Sequence, residues 1–171
     1  NTTFADFVQV FDSIAVPDYL KHAFFIEGGA LAVENALKTA FDWKYRKNLE
    51  NKRAVDDNML VIHFNQAFHG RSGYTLSLTN TTDPRKTMYF PKFDWPRITN
   101  PKLKFPISDS VLTQIKIEED IAINEIKQAI LSNNGQIAAI IIEPIQGEGG
   151  DNHFRDEFFI ALRNICDEDE I

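Results

Sequence analysis

Cysteine is nearly missing from this chain of 171 residues: Cys166 stands alone, so no internal disulfide forms and no zinc-type spacing exists. A reducing, cytoplasmic setting is the expectation. An excess of basic charge is also missing. Asp and Glu number 25 against 18 Lys and Arg, a formal charge of -7. A nucleic-acid footprint would need a basic patch, so nucleic acid is not an expected partner. No apolar run approaches a membrane span, and no membrane contact is expected. No Gly-Lys-Ser/Thr follows a glycine turn, which excludes a Walker A loop, and the G-x-G-x-x-G dinucleotide spacing is absent. Internal repeats and low-complexity tracts are lacking. No signal peptide is visible, but the chain begins at Asn1 without Met, and its true start is expected to lie upstream.

What is present reads as one globular unit. Hydrophobic residues make up 43% and charged residues 25%, ordinary for a soluble domain of one sizeable core. Thr3 caps an expected helix carrying Phe4, Phe7, Val8, Val10 and Phe11 on one side, ended by Pro17. Ala23-Phe-Phe-Ile26 reads as a short strand. Gly28-Gly29 breaks the chain before a helix from Ala30 to about Asn48. Met59-Leu-Val-Ile62 is a second strand. Phe64 to Leu78 reads as a loop or broken helix. Residues 83 to 110 hold most of the prolines and little periodicity, an excursion of a length that is usually functional. Asp109 to Ser132 is an expected helix with Ile115, Ile117, Ile121, Ile126 and Ile130 on its apolar face, closed by Asn133-Asn134-Gly135. Ile137-Ala-Ala-Ile-Ile-Ile142 has the β-branched, uninterrupted apolarity of a strand covered on both faces. Arg155 to Cys166 is a last amphipathic helix. Helices alternating with strands predict an α/β fold with a mainly parallel sheet flanked by helices. Asp167-Glu-Asp-Glu-Ile171 stops where another strand is due, so residues 1–171 read as an internal fragment.

Three constellations carry chemistry. The buried strand at 137–142 opens into Glu143-Pro-Ile-Gln-Gly-Glu-Gly-Gly150, with two carboxylates five residues apart in a glycine-rich loop. Open α/β sheets place ligands at the carboxyl ends of their strands. Paired carboxylates suit acid–base work or a metal, but the His–carboxylate clustering of a dedicated metal site is missing, and no metal is expected. The second constellation is Glu27-Gly28-Gly29-Ala30 at a strand-to-helix junction. It is either a plain turn or an anion site, where the close-approaching backbone and free N–H groups of the helix start would hold a phosphate. The third is Ala67-Phe68-His69-Gly70-Arg71-Ser72-Gly73. An aromatic ring and a guanidinium this close offer a stacking face for a planar ring and a clamp for a carboxylate. Taken alone, His69 reads as a packed core imidazole more often than a catalyst, and Arg71 or Glu148 as a solvated surface charge.

Together these segments resemble the class III aminotransferases of fold type I, which use pyridoxal 5′-phosphate. The resemblance runs along nearly the whole chain. It is carried by Phe25-Ile-Glu-Gly-Gly-Ala-Leu-Ala-Val-Glu-Asn-Ala-Leu-Lys38, by Ala67-Phe-His-Gly-Arg-Ser-Gly-Tyr-Thr-Leu-Ser-Leu-Thr-Asn80, by Phe90-Pro-Lys-Phe-Asp-Trp-Pro-Arg97 and by Glu143 to Gly150. The second and third are similar to the lysine 6-aminotransferase branch; the other two are shared with ornithine and γ-aminobutyrate enzymes. The resemblance implies that Gly29 and Ala30 hold the cofactor phosphate through backbone N–H groups, that Phe68 stacks on the pyridine ring and that Glu143 lies near the cofactor. It implies that Arg71 binds a substrate carboxylate and that Glu148 gates the site by pairing with a downstream arginine. His69 is given no chemical step. The implied parent enzyme is a homodimer moving the ε-amino group of L-lysine to 2-oxoglutarate. Its Schiff-base lysine, the Asp partner of the pyridine nitrogen and the second arginine are expected beyond Ile171, so the fragment supplies no catalytic residue and is expected to be inactive. The alternatives are another ω-aminotransferase, of ornithine or γ-aminobutyrate type, and a non-catalytic relative that binds an anion at Gly29 and Ala30.

Overall fold

The computed structural model describes residues 1–20 and 22–171. Among them the chain runs α1 (Thr2–Ile14), α2 (Gly29–Glu50), β1 (Leu60–Phe64), α3 (Gly73–Leu78), a 3-10 turn at Pro84–Lys86, β2 (Arg97–Ile98), α4 (Asp109–Ser132), β3 (Ile137–Ile140), β4 (Ile145–Gln146), β5 (Asn152–His153) and α5 (Asp156–Asp169).

The sheet is built on β1, whose five residues are all buried. It lies between β2 and β3 and is parallel to both. Val61 faces Ala139 and Ile62 faces Ile140, while His63 and Phe64 face Arg97 and Ile98. Parallel neighbours need covered crossovers, and the connections from β1 to β2 and β3 carry helices, as the α/β pattern predicts. The core gathers Val61, Ile62 and Phe64 with Leu37 of α2, Ala122 and Ile126 of α4, and Phe158, Leu162 and Ile165 of α5.

Polar links fix the helices around that core. Ser108 caps α4, its hydroxyl accepting from the Val111 N–H. Glu125 of α4 accepts from the Thr99 N–H at 2.7 Å and its hydroxyl at 2.9 Å, tying the helix to the end of β2. Arg155 donates to both carboxylate oxygens of Glu119, at 2.9 and 3.2 Å, and so anchors the start of α5 on α4. Lys44 is 2% exposed; its ammonium donates to the carbonyls of Asp169 and Glu170, satisfying the carbonyl end of α5.

Four expectations change. Thr3 lies within α1 and does not cap it; Asn1 holds the cap position and no side chain caps the helix. Ala23–Ile26 forms no strand. A strand needs a ladder partner for its backbone groups, and instead the Phe25 ring packs edge-on against Phe4, Phe7 and Phe11 of α1, with centroids 5.5–5.9 Å apart. The strand expected at 137–142, β3, ends at Ile140, although the Ile141 N–H still donates to the Ile62 carbonyl at 2.9 Å. The apolar face of α4 is only partly covered, with Ile115 and Ile126 buried but Ile117 and Ile121 exposed. No helix among the described residues is long and apolar enough to cross a membrane.

Candidate functional site

The start of α2 leaves its first backbone N–H groups without an intrahelical partner. Gly28 caps it at φ 84°, a left-handed conformation that favours glycine, and no side chain caps the helix. The first intrahelical bond is from the Ala32 N–H to the Gly28 carbonyl, at 3.1 Å. The N–H groups of Gly29, Ala30 and Leu31 therefore precede the helical ladder and carry its positive end. No acidic residue occupies the first turn to neutralise it, and a Cβ on Gly29 would meet no atom within 4 Å. The backbone here has room beside it.

The turn at 67–73 packs directly on this helix start. A Cβ on Gly70 would stand 2.7 Å from the Ala30 Cβ and 2.8 Å from the Thr75 hydroxyl, at φ 121°. Only glycine permits that approach. The turn is held from several sides. The Phe68 N–H donates to Glu143 Oε2 at 2.8 Å, and the His69 N–H to the Thr79 hydroxyl at 3.0 Å. That hydroxyl in turn donates to the Gly70 carbonyl at 2.7 Å. Glu34 of α2 accepts from the Ser72 hydroxyl at 2.6 Å and from the Tyr74 N–H at 2.8 Å, capping α3 from outside its own segment. Phe68 is half-buried; Arg71 is exposed and has no ion-pair partner among the described residues.

His69 faces inward. It is 8% exposed, its Nε2 has no partner among the described residues, and burial pushes its pKa down to about 4. Burial does the same to His63 on β1, aided by the Arg97 guanidinium, again to about 4. Both rings are neutral at pH 7.

The acidic loop closes the other side. Burial raises the Glu143 pKa, opposed by hydrogen bonds from the Phe68 and Gly147 N–H groups; the nearby charge of Glu148 adds a small upward push. A Cβ on Gly149 would collide with the Gln66 carbonyl, so the loop lies flat against the end of β1. Beneath it Gln146, fully buried, accepts from Asn100 at 2.8 Å and Asn152 at 2.9 Å and donates to the Asn65 carbonyl at 3.0 Å. The Glu148 carboxylate is bound to the turn after α3. It accepts from the Thr81 hydroxyl and the Lys86 ammonium, both at 2.5 Å, and these bonds hold its pKa below the usual carboxylate range.

Contacts thus run without a gap from Ala30 to Gly70 and, through Phe68, to Glu143. Arg71 adjoins this line on the open side. Glu148 is the outlier, bound to the turn after α3. Glu34, Thr79 and Lys86 were not among the expected site residues. Of these only Glu34 left a signal: a carboxylate three residues before the buried Leu37, on the core-facing side of α2. Among the described residues no three His, Cys, Asp or Glu side chains gather as a metal site.

The sequence profile of the class-III aminotransferases matches residues 2–171. The L-lysine-epsilon aminotransferase of Amycolatopsis lactamdurans is 49% identical over 163 residues, covering 95% of this chain and 36% of that protein. The mitochondrial 4-aminobutyrate aminotransferase of Homo sapiens is 36% identical over 156 residues, covering 81% of this chain and 31% of its own. The lysine aminotransferase of M. tuberculosis, solved in its internal aldimine form, superposes with a TM-score of 0.91 at 48% identity, over 99% of this chain and 38% of that one. The chain spans little more than a third of the length of the lysine enzymes it matches.

Proposed function

The chain belongs to the class III aminotransferases, and from that premise we propose that it is part of the cofactor-binding large domain of an enzyme that moves the ε-amino group of L-lysine to 2-oxoglutarate. The family's cofactor is pyridoxal 5′-phosphate, which when bound supplies an electron sink at the amine-bearing carbon. The residues present fit it: an uncapped helix start with no acid in its first turn and free space beside Gly29 suits a phosphate.

In this reading the N–H groups of Gly29 and Ala30 hold the phosphate, and the Phe68 ring covers one face of the pyridine. Glu143 keeps Phe68 in place through its backbone and presents a carboxylate near the cofactor. Arg71 grips the α-carboxylate of lysine with a planar fork, leaving the far ε-amine to point inward. Glu148 sits on the loop facing the charged end of the substrate and favours a cation over a dianion. The lysine donor over the 4-aminobutyrate type is supported by the higher identity to the lysine enzyme, 49% against 36%. A cytoplasmic homodimer is part of the same proposal.

The observation that carries the reading is the unbroken packing of Ala30 on Gly70 and of Phe68 on Glu143, which joins a phosphate cradle to a ring-stacking side chain. The experiment is a donor panel on the full-length protein, with glutamate formation from 2-oxoglutarate as readout. Lysine is expected to exceed ornithine and 4-aminobutyrate in kcat/KM. Preference for either of those replaces the donor. Cofactor binding without any transamination replaces the enzyme with a binding protein.

A further inference from the structure

One buried hydroxyl, that of Thr79, pins the turn that carries Phe68 and Arg71. Thr79 is the C-terminal cap of α3, where the chain leaves the helix in extended conformation at φ -77° and ψ 128°. The helix spans six residues, fewer than two turns, so its end stays within reach of the turn that precedes its start. There the Thr79 hydroxyl accepts from the His69 N–H at 3.0 Å and donates to the Gly70 carbonyl at 2.7 Å. The first bond fixes the peptide plane that leaves Phe68. The second fixes the plane that enters Arg71. Up to Phe68 the chain is held by other groups: Asn80 accepts from the Gln66 N–H at 2.9 Å and donates its own N–H to the Ala67 carbonyl at 2.7 Å, and Glu143 accepts from the Phe68 N–H. From Ser72 onward it is held by Thr75 and Glu34. Between these ties the segment is held by Thr79.

We propose that Thr79 is a positioning residue: its hydroxyl sets the Phe68 ring and the Arg71 guanidinium in fixed relation, and so fixes where a bound carboxylate lies relative to the cofactor ring. This rests on the reading of Phe68 as the ring-stacking residue and of Arg71 as the carboxylate clamp. Thr79 acts through the backbone, since both its hydrogen bonds go to main-chain atoms. Its side chain is 2% exposed, so no solvent stands by to replace the hydroxyl. Removing it leaves a buried donor and a buried acceptor unmatched, and the chain gains by turning them elsewhere. Gly70 is where that turning is easiest. It has no side chain to resist rotation of its peptide groups, and it already sits at φ 121°. Rotation there carries Arg71 with it, because Arg71 is the next residue and its exposed side chain is anchored to nothing else by an ion pair among the described residues.

The test compares Thr79→Val with Thr79→Ser in the full-length protein. Val keeps the shape and loses the hydroxyl; Ser keeps the hydroxyl and loses the methyl group. KM and kcat for lysine are measured on the holoenzyme with cofactor saturating, and the dissociation constant of pyridoxal 5′-phosphate by titrating the apoenzyme. For Thr79→Val we expect a rise of about two- to tenfold in the KM for lysine with kcat unchanged, and a loss of cofactor affinity in the same range, the worth of a hydrogen bond. Thr79→Ser retains the wild-type values. In an Arg71→Ala background Thr79→Val no longer changes the KM for lysine, because the effect runs through Arg71. Glu119→Gln, which weakens the Arg155 link between α4 and α5, is the control for lost stability alone and leaves both values unchanged. The role of Thr79 is overturned by wild-type values in Thr79→Val, by persistence of the KM effect without Arg71, or by equal shifts in Glu119→Gln. An impaired Thr79→Ser overturns it even where Thr79→Val does not fold. If Arg71→Ala alone leaves the KM for lysine untouched, the underlying reading of Arg71 fails instead.

Discussion

Ala30 and Gly70 lie so close that a methyl group on Gly70 would stand 2.7 Å from the Ala30 Cβ. This contact sets the helix start that offers free N–H groups against the turn that carries Phe68. Gly70→Ala must push that start aside and also adopt φ 121°, which a side chain resists. We expect a loss of stability of about 1–3 kcal/mol, the usual cost of overpacking, and a clear fall in cofactor affinity. Gly147→Ala is the control, since nothing lies within 4 Å of its added methyl. Denaturant unfolding and cofactor titration of the two full-length variants measure the difference; equal effects would remove Gly70 from the cradle.

Glu34 reaches from α2 to the start of α3, where it accepts from the Ser72 hydroxyl and the Tyr74 N–H. It is 9% exposed. Glu34→Ala leaves the half-buried Tyr74 N–H without its acceptor and the Ser72 hydroxyl with Thr75 alone, and a loss of about 1–3 kcal/mol is expected. Glu34→Gln retains an acceptor oxygen and should cost less. Thermal unfolding of both variants checks the order, and a Gln variant as costly as the Ala variant would show that one acceptor oxygen is not enough to hold the turn.

The two buried imidazoles make a prediction about pH. His63 and His69 have folded pKa values of about 4 against an ordinary 6.5, in both cases chiefly because burial disfavours the charged ring. As pH falls, the unfolded chain takes up these protons before the folded one. The stabilisation is therefore complete above about pH 6.5 and is lost as pH falls toward about 4. Each ring contributes at most roughly 3 kcal/mol, since a tenfold change in proton affinity is worth about 1.4 kcal/mol. Urea unfolding of the full-length protein at pH 7, 6 and 5 should show a falling free energy. A flat profile would mean that the rings are reached by water.

Much of this architecture is legible in the sequence, because local chemistry decides it. The runs at 59–62 and 137–142 are apolar and rich in β-branched residues, and they become the neighbouring strands β1 (Leu60–Phe64) and β3 (Ile137–Ile140). The long helices α2 and α4 follow from periodicity. Ala23–Ile26 misleads because its aromatic residues favour strand or helix contact equally, and only the nearby ring cluster of α1 decides. The short helix α3 is hidden because its capping box closes on Thr75 rather than on a Glu or Gln. The site divides in the same way. The glycine turn, the Phe68–Arg71 segment and the acidic loop are local patterns. The bonds that organise them are not: Glu34 to Tyr74, Phe68 to Glu143 and Lys86 to Glu148 join residues 40, 75 and 62 positions apart. Such pairings depend on the folded topology, which no local motif encodes.

Arg71 provides the last test. It follows Gly70 on the turn that packs against the cradle, and its exposed guanidinium has no ion-pair partner among the described residues. A charge left unpaired on a turn otherwise braced by hydrogen bonds is available to an incoming carboxylate. If Arg71 grips the α-carboxylate of lysine, the length of the side chain carries the ε-amine away from Arg71 toward the cofactor, and the choice of amine follows from geometry. Arg71→Lys keeps the charge but loses the planar fork, so it is not a conservative change. We expect a loss of about 1.5–3 kcal/mol in lysine recognition, the range for hydrogen bonds to charged groups, with protein stability unchanged because the side chain supports nothing else. The kcat/KM for lysine and the unfolding midpoint of the full-length variant separate the two effects. A variant with full activity toward lysine would move the carboxylate clamp to another residue, whereas one that loses stability along with activity would make Arg71 a structural part of the turn.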